Sequence, residues 1–188
     1  MSVAAIVAVW SSPAGADQDV RRPIQTMVQS ARYGRVDMAL GQLAGERQGA
    51  LLLGEAWSAA SQEQRSEFVS LFHRLFALIA LPKVQENFEH LETVLYDEPT
   101  VEGDTASITS TVVVLHAMAK REIRVRYDLV RVEGSWRVLD AKVLGTGSGS
   151  MIEEIRSEQI EPILEEGGLS HLLELMRERL THLEEKQG

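Results

Sequence analysis

The chain has 188 residues, a formal net charge of −9 and no cysteine. That length suits one domain with a sizeable core. The acidic balance argues against a nucleic-acid binder, which needs a basic surface, and against tight adsorption to an anionic membrane. The lack of cysteine excludes disulfides, thiolate zinc sites, a thiol nucleophile and a lipidated cysteine.

Met1 to Trp10 is small and apolar, and Pro13 precedes Ala14-Gly15-Ala16 and then Asp17. That pattern matches a signal-peptidase site, although no Lys or Arg precedes the apolar run. The expectation is an export-signal remnant over 1–16 and a mature domain over 17–188; the alternative is a buried first helix. Asp17 to Arg32 reads as a short helix, with Ile24, Met27, Val28 and Ala31 at helical spacing. A second helix runs from Val36 through Leu40 and Leu43, and Leu51-Leu52-Leu53-Gly54 ends in a turn. Ser61-Gln-Glu-Gln64 is a capping box. The helix it opens carries Phe68, Val69, Leu71, Phe72, Leu75, Phe76, Leu78, Ile79 and Leu81. That arc is wider than a surface helix needs, so the helix is buried on most sides or lines a cavity. Pro82 marks its expected end.

Four strands are expected next: Phe88 to Asp97, Thr105 to His116, Lys120 to Val132, and Ser135 to Leu144. Short connections make them antiparallel, with a hairpin at Glu133-Gly134. Ile123, Val125, Tyr127 and Leu129 alternate with Arg124, Arg126 and Asp128, which gives the third strand one apolar face. A sheet with one apolar face needs a cover, and the helices on either side in sequence can supply it. Gly145-Thr-Gly-Ser-Gly149 breaks the sheet. A helix bent at Pro162 follows, then a stop at Gly167-Gly168. A last helix has the stripe Leu169, Leu172, Leu173, Met176, Leu180 and Leu183. The expected class is α+β in one domain.

No constellation points clearly to catalysis. The Gly145–Gly149 loop lacks a phosphate-binding lysine, and the helix after it begins with Glu153-Glu154, which would repel phosphate. His73, His90, His116, His171 and His182 show no metal-ligand spacing and read as surface or capping residues. Ser148 and Ser150 lack a nucleophile-elbow context. Arg121, Arg124, Arg126, Arg131, Arg137 and Lys142 make the sheet locally basic. Pairing with Glu122, Asp128 and Glu133 is the plainer explanation; a docking face for an acidic partner or lipid head group is the sharper one. Trp57 and Trp136 read as packing anchors, and Asp140, on the face of Trp136 and Val138, as a local cap.

Several stretches, in order, resemble the MlaC, or toluene-tolerance, family. They are Trp57-Ser-Ala-Ala-Ser-Gln-Glu-Gln-Arg65-Ser-Glu-Phe68, Arg126-Tyr-Asp-Leu129, Gly134-Ser-Trp-Arg-Val-Leu-Asp140 and Gly167-Gly-Leu-Ser-His-Leu-Leu173. The resemblance spans roughly Pro23 to Leu180. It implies an NTF2-like α+β fold in which N-terminal helices, a four-stranded twisted antiparallel sheet and C-terminal helices enclose an apolar cavity. It also implies a monomeric periplasmic phospholipid carrier. Such a carrier would shuttle lipid between an inner-membrane permease complex with an MCE-type protein and an outer-membrane lipoprotein, as part of an ABC-type system. Bound phospholipid is then cargo, with no cofactor, metal or catalytic residue. The expected lining from the long helix is Phe68, Phe72, Leu75, Phe76 and Ile79. From the strands it is Val112, Val114, Ile123, Val125, Tyr127, Leu129 and Val138. Phe72, Leu75 and Ile79 are expected to face Ile123, Val125 and Tyr127 across one cavity. The competing readings are an enzyme using that cavity as an active site, and an interaction module whose wide helix is filled core.

Overall fold

The computed structural model describes residues 14–88, 90–116 and 119–186. The expected signal remnant falls almost wholly outside them. Seven α-helices and five strands are described, in the order helices, antiparallel sheet, helices, which is the α+β class expected.

Helix α1 (Ala14–Arg32) leads into α2 (Val36–Leu40). The second helix does not reach Leu43. It stops at Gly41, and residues 42–44 lie along the last strand: Ala44 N donates to Val138 O at 2.9 Å and Val138 N to Gln42 O at 2.8 Å. Helix α3 (Gly45–Leu53) turns at Gly54, whose φ is 55°, into α4 (Glu55–Ala59). The Trp57 ring lies against Gly49, where an added Cβ would come within 2.4 Å of it, so a larger residue there would force these two helices apart or the ring aside.

Helix α5 (Gln62–Phe88) opens with the expected capping box. Gln64 N donates to Ser61 Oγ at 3.3 Å and Ser61 N donates to Gln64 Oε1 at 3.0 Å, so two otherwise orphaned helix-start donors are satisfied. Pro82 does not end α5. It removes one backbone donor. Leu81 before it and Val84 after it pack with Ala31 and Ala39 of the first two helices, and this tertiary packing carries the helix on.

The sheet is ordered β1 (Leu91–Tyr96), β3 (Thr105–His116), β4 (Ala119–Val132), β5 (Ser135–Val143), with β2 (Thr100–Glu102) also on β3. The first strand starts at Leu91, not Phe88, because α5 uses Phe88. Strand β2 was not expected; its three residues sit between Pro99 and Gly103, too short to show a period. It continues along the same edge of β3 that β1 uses, past the break at Asp97–Pro99. Glu133 and Gly134 have φ of 50° and 77°, the left-handed pair that a two-residue hairpin needs.

Strand β5 carries a bulge. Asp140 lies opposite Asp128 and Val138 opposite Leu129, leaving Leu139 extra. Asp140 is therefore out of phase with Val138 and Trp136, contrary to the simple alternation expected. It still caps: Oδ1 accepts from Ala141 N at 2.8 Å and from Ile152 N at 3.0 Å, tying the sheet to the start of α6 (Met151–Ile155). The Ser150 side chain accepts from Glu153 N and Glu153 Oε2 accepts from Ser150 N, a second capping box that the sequence reading missed.

One wide π-turn (Arg156–Ile160) joins α6 to α7 (Glu161–Glu185). Pro162 stands in the first turn of α7, where its missing donor costs nothing. Gly168 breaks the helical geometry with φ 69° and ψ −170°, so the expected stop becomes a kink after which α7 resumes. Arg177 pairs with Glu67, and Arg74 with Glu184. Both pairs join residues 110 apart, so α5 and α7 run in the same sense.

Two main buried clusters lie on opposite flanks of α5. One holds Leu52, Phe68, Leu71, Phe72, Ile152, Ile160, Leu172, Leu173, Met176 and Leu180. The other holds Val20 and Ile24 of α1 with Leu43, Ile108, Leu129, Trp136 and Val138 against the sheet. The C-terminal stripe is thus buried on α5 rather than on the sheet.

Candidate functional site: two apolar hollows flanking the long helix

Helix α1 lies across the apolar face of the sheet, and α5 sits beside it. The space left between α1, α5 and the strands is a hollow of ≈ 420 Å³. Ile24, Met27, Val28 and Ala31 come from α1, and Phe76, Ala80, Leu81 and Val84 from α5. The floor is Val112, Val114, Ile123, Val125, Tyr127, Val138 and Ala141, with Leu43 and Met151 at its margin. Period-two alternation puts Val112, Val114, Ile123, Val125 and Tyr127 there: Val112 is the register partner of Ile123, and both point to the covered side.

The polar content of this wall is small. Ser110 is fully buried, opposite Tyr96 and Val125 in register. Burial pushes the Tyr127 phenol up; the Ser110 hydroxyl beside it offsets this a little, yet Ser110 Oγ makes no hydrogen bond of good geometry. Burial, with Tyr127 as neighbour, pushes Tyr96 up to about 12. Both phenols therefore stay neutral at physiological pH, and the floor presents no charge.

A second hollow, of ≈ 500 Å³, lies on the other flank of α5. It is lined by Phe72, Leu75, Phe76, Ile79 and Ala80 of α5, by Ile155, Gln159 and Ile160 of the helix end and π-turn, and by Ile163, Leu172, Leu175, Met176 and Arg179 of α7. Phe76 and Ala80 line both hollows, which therefore adjoin along α5.

This divides the residues expected to share one wall. Val112, Val114, Ile123, Val125, Tyr127, Val138 and Phe76 do converge on the sheet-side hollow. Phe72, Leu75 and Ile79 do not face Ile123, Val125 and Tyr127; they face α7. Positions 72, 75 and 79 point away from the sheet, and 76 and 80 are the helical positions turned toward it. Phe68 and Leu129 line neither hollow; they are closed core, 0% and 1% exposed. The α1 contribution of Met27 and Val28 was missed as a lining, although their helical spacing with Ile24 and Ala31 was visible.

Elsewhere, the strand charges pair locally. Arg126 meets Asp128 at 2.9 Å and Lys120 meets Glu122 at 3.2 Å along their own strand, while Arg124 reaches Asp97 and Arg131 reaches Asp104. His73 is not the surface residue expected: its Nε2 is buried without a hydrogen bond, and burial pulls its pKa down. Among the described residues no cluster of His, Asp and Glu could hold a metal ion, and no helix is long and apolar enough to cross a membrane.

The architecture is that of an α+β domain whose helices are held off the apolar face of an antiparallel sheet, leaving hydrophobic space inside. The chain belongs to the MlaC family: the family model described as MlaC protein matches residues 20–178. Among solved structures, it is similar to the phospholipid-binding protein from Ralstonia solanacearum in complex with a phospholipid. The TM-score is 0.70 at 17% identity, over 89% of this chain and 98% of that one. An NTF2-like protein with a cystatin-like fold from Novosphingobium aromaticivorans gives 0.36 at 17% identity, over 71% of this chain and 85% of that one, a likeness too slight to build on. No curated protein matches the sequence.

Proposed function

We propose that the protein binds phospholipid as cargo and carries it between membranes. The observation that carries this reading is the sheet-side hollow of ≈ 420 Å³, lined almost wholly by aliphatic side chains and held open between α1, α5 and β3–β5. Its size falls within the range of single-ligand sites. Each methylene buried there contributes about 0.8 kcal/mol, so an acyl chain is held firmly with no specific polar contact. Family membership and the phospholipid in the Ralstonia structure support the same cargo. An active site would want a buried acid, base or metal. Among the described residues that line it, Tyr127 is the one titratable side chain, and burial pushes that already neutral phenol further up, which favours a carrier over an enzyme.

Within that reading, cargo passes between an inner-membrane permease complex with an MCE-type protein and an outer-membrane lipoprotein. The working chain is a periplasmic monomer beginning near Asp17. Protein purified from a Gram-negative host should yield phospholipid on organic extraction and mass spectrometry, and Val125→Glu should yield none, since a desolvated carboxylate on the floor is costly. Lipid-free wild-type protein that also takes up no added phospholipid would sink the proposal.

A further inference from the structure

The hollow between α5 and α7 differs from the sheet-side one in a way that points to its own ligand. Its wall is apolar, but its rim carries Arg179 and Gln159, both exposed. The neighbouring cations on this seam are neutralised: Arg177 by Glu67, Arg74 by Glu184, and Arg156 by Glu161 at 2.7 Å. The Arg179 side chain has no ion pair or hydrogen bond among the described residues, and neither has the Gln159 side chain. An arginine whose stem lies along an apolar hollow while its guanidinium stays in water is placed to hold an anion at the mouth. Its planar fork matches a carboxylate in two parallel hydrogen bonds. Gln159 stands on the π-turn, and such turns are frequent at functional sites because they re-aim side chains that a regular helix would direct elsewhere.

We infer that this second hollow is a separate binding site for a free long-chain carboxylate. The chain lies among Leu75, Ile79, Ile163 and Met176, and the head group is held by Arg179 with Gln159 beside it. Phe76 and Ala80 line both hollows, and the other lining residues of the two differ, so filling one or the other by substitution tells the two sites apart. A volume of ≈ 500 Å³ suits one single-chain ligand. One cation and one amide fit a single carboxylate better than the head group of a second diacyl lipid.

The probe is dansyl-undecanoate, titrated by fluorescence into the full chain, with palmitate and phosphatidylglycerol as competitors. The variants are Arg179→Glu, Leu175→Trp (which fills the hollow) and Val125→Trp (which fills the sheet-side one), each checked for native circular dichroism. The expected result is that probe binding survives Val125→Trp, is displaced by palmitate, and weakens roughly tenfold in Arg179→Glu, the loss of one charge-assisted contact. Leu175→Trp should remove it. Arg179 is exposed, so its variant tests the site even if Leu175→Trp misfolds. Probe binding abolished by Val125→Trp and untouched by Arg179→Glu would overturn the inference while leaving the phospholipid reading intact. Displacement by phosphatidylglycerol but not palmitate would overturn it too. Probe binding as expected in a protein that never takes phospholipid would uphold it while the carrier reading fell.

Discussion

The two flanks of α5 are built from different materials. On the sheet side, the apolar surface comes from strands that each pair with a near neighbour in sequence, with α1 laid over them. On the α7 side it comes from helices only: α3, α6, the π-turn and α7 close around Phe68 and Phe72. The sheet-side floor is a rigid hydrogen-bonded ladder, so its shape is set by register. The α7 side is held by side-chain packing and two exposed ion pairs, which contribute little each. One helix serves both flanks, and that is why its apolar residues run so far round its circumference. The difference predicts a permanent hollow on the sheet side and a more deformable one opposite.

The harshest test is removal of α7 from Gly168 onward. It strips Leu172, Leu173, Met176 and Leu180, all buried, from the flank that has nothing but helices to hold it. Each buried Leu contributes roughly 1.5–3 kcal/mol, so the loss should be several kcal/mol, and the truncated protein should aggregate or lose its lipid. A soluble truncation that kept its cargo would show that the sheet side stands alone.

Paired point substitutions sharpen this. Phe68→Ala on the α7 side should cost about 3–5 kcal/mol and Leu129→Ala on the sheet side about 2–5 kcal/mol in chemical denaturation, since both side chains are closed core. Neither touches a hollow, so phospholipid recovered per folded molecule should stay near that of wild type in both. Cargo lost in Leu129→Ala with the fold intact would mean that the floor tolerates no relaxation.

Asp140 is the latch between the flanks, because its carboxylate holds the first turn of α6 against β5. Asp140→Asn should cost about 1–2 kcal/mol, the usual worth of one charged acceptor at a helix start, and should speed hydrogen exchange at Ile152. Unchanged exchange there would place the coupling of the flanks elsewhere.

Much of this fold was legible in the sequence where a period was clean. The capping box at Ser61, the turn at Glu133-Gly134 and the alternation in β4 each state their geometry locally. What was illegible depended on partners distant in sequence. Pro82 looks like a stop until Val84 is seen packing on the first two helices. The bulge at Leu139 leaves no mark on the residues themselves, yet it reverses the face of Asp140. For the hollows, the strand residues were readable because alternation fixes their side of the sheet. The helix residues were not, because an apolar arc that wide does not say which part faces which neighbour. Reading Phe72, Leu75 and Ile79 as opposite the strands was right about their common face and wrong about what lay across from it.

The smallest expected effect is on pH dependence, and it belongs to the α7 side. His73 lies near the start of α3: a Cβ on Gly45 would touch its ring at 3.6 Å, and Nε2 is enclosed without a partner. Burial disfavours the charged ring and lowers its pKa below the ordinary 6.5. The unfolded chain then binds this proton more readily than the folded one, so stability is fully present above the ordinary histidine pKa. It falls as pH drops through 6.5 toward the folded value. Denaturation midpoints measured between neutral and mildly acid pH should therefore decline, and His73→Gln, which cannot take up the proton, should flatten that decline. The loss should appear as looser packing of α3 on α5, read by faster exchange at the amides of Gln48 and Gly49, with the amides of β3 and β4 unaffected. If instead the sheet amides soften first on acidification, the sheet side is the more deformable flank and the helices around α7 are the rigid one.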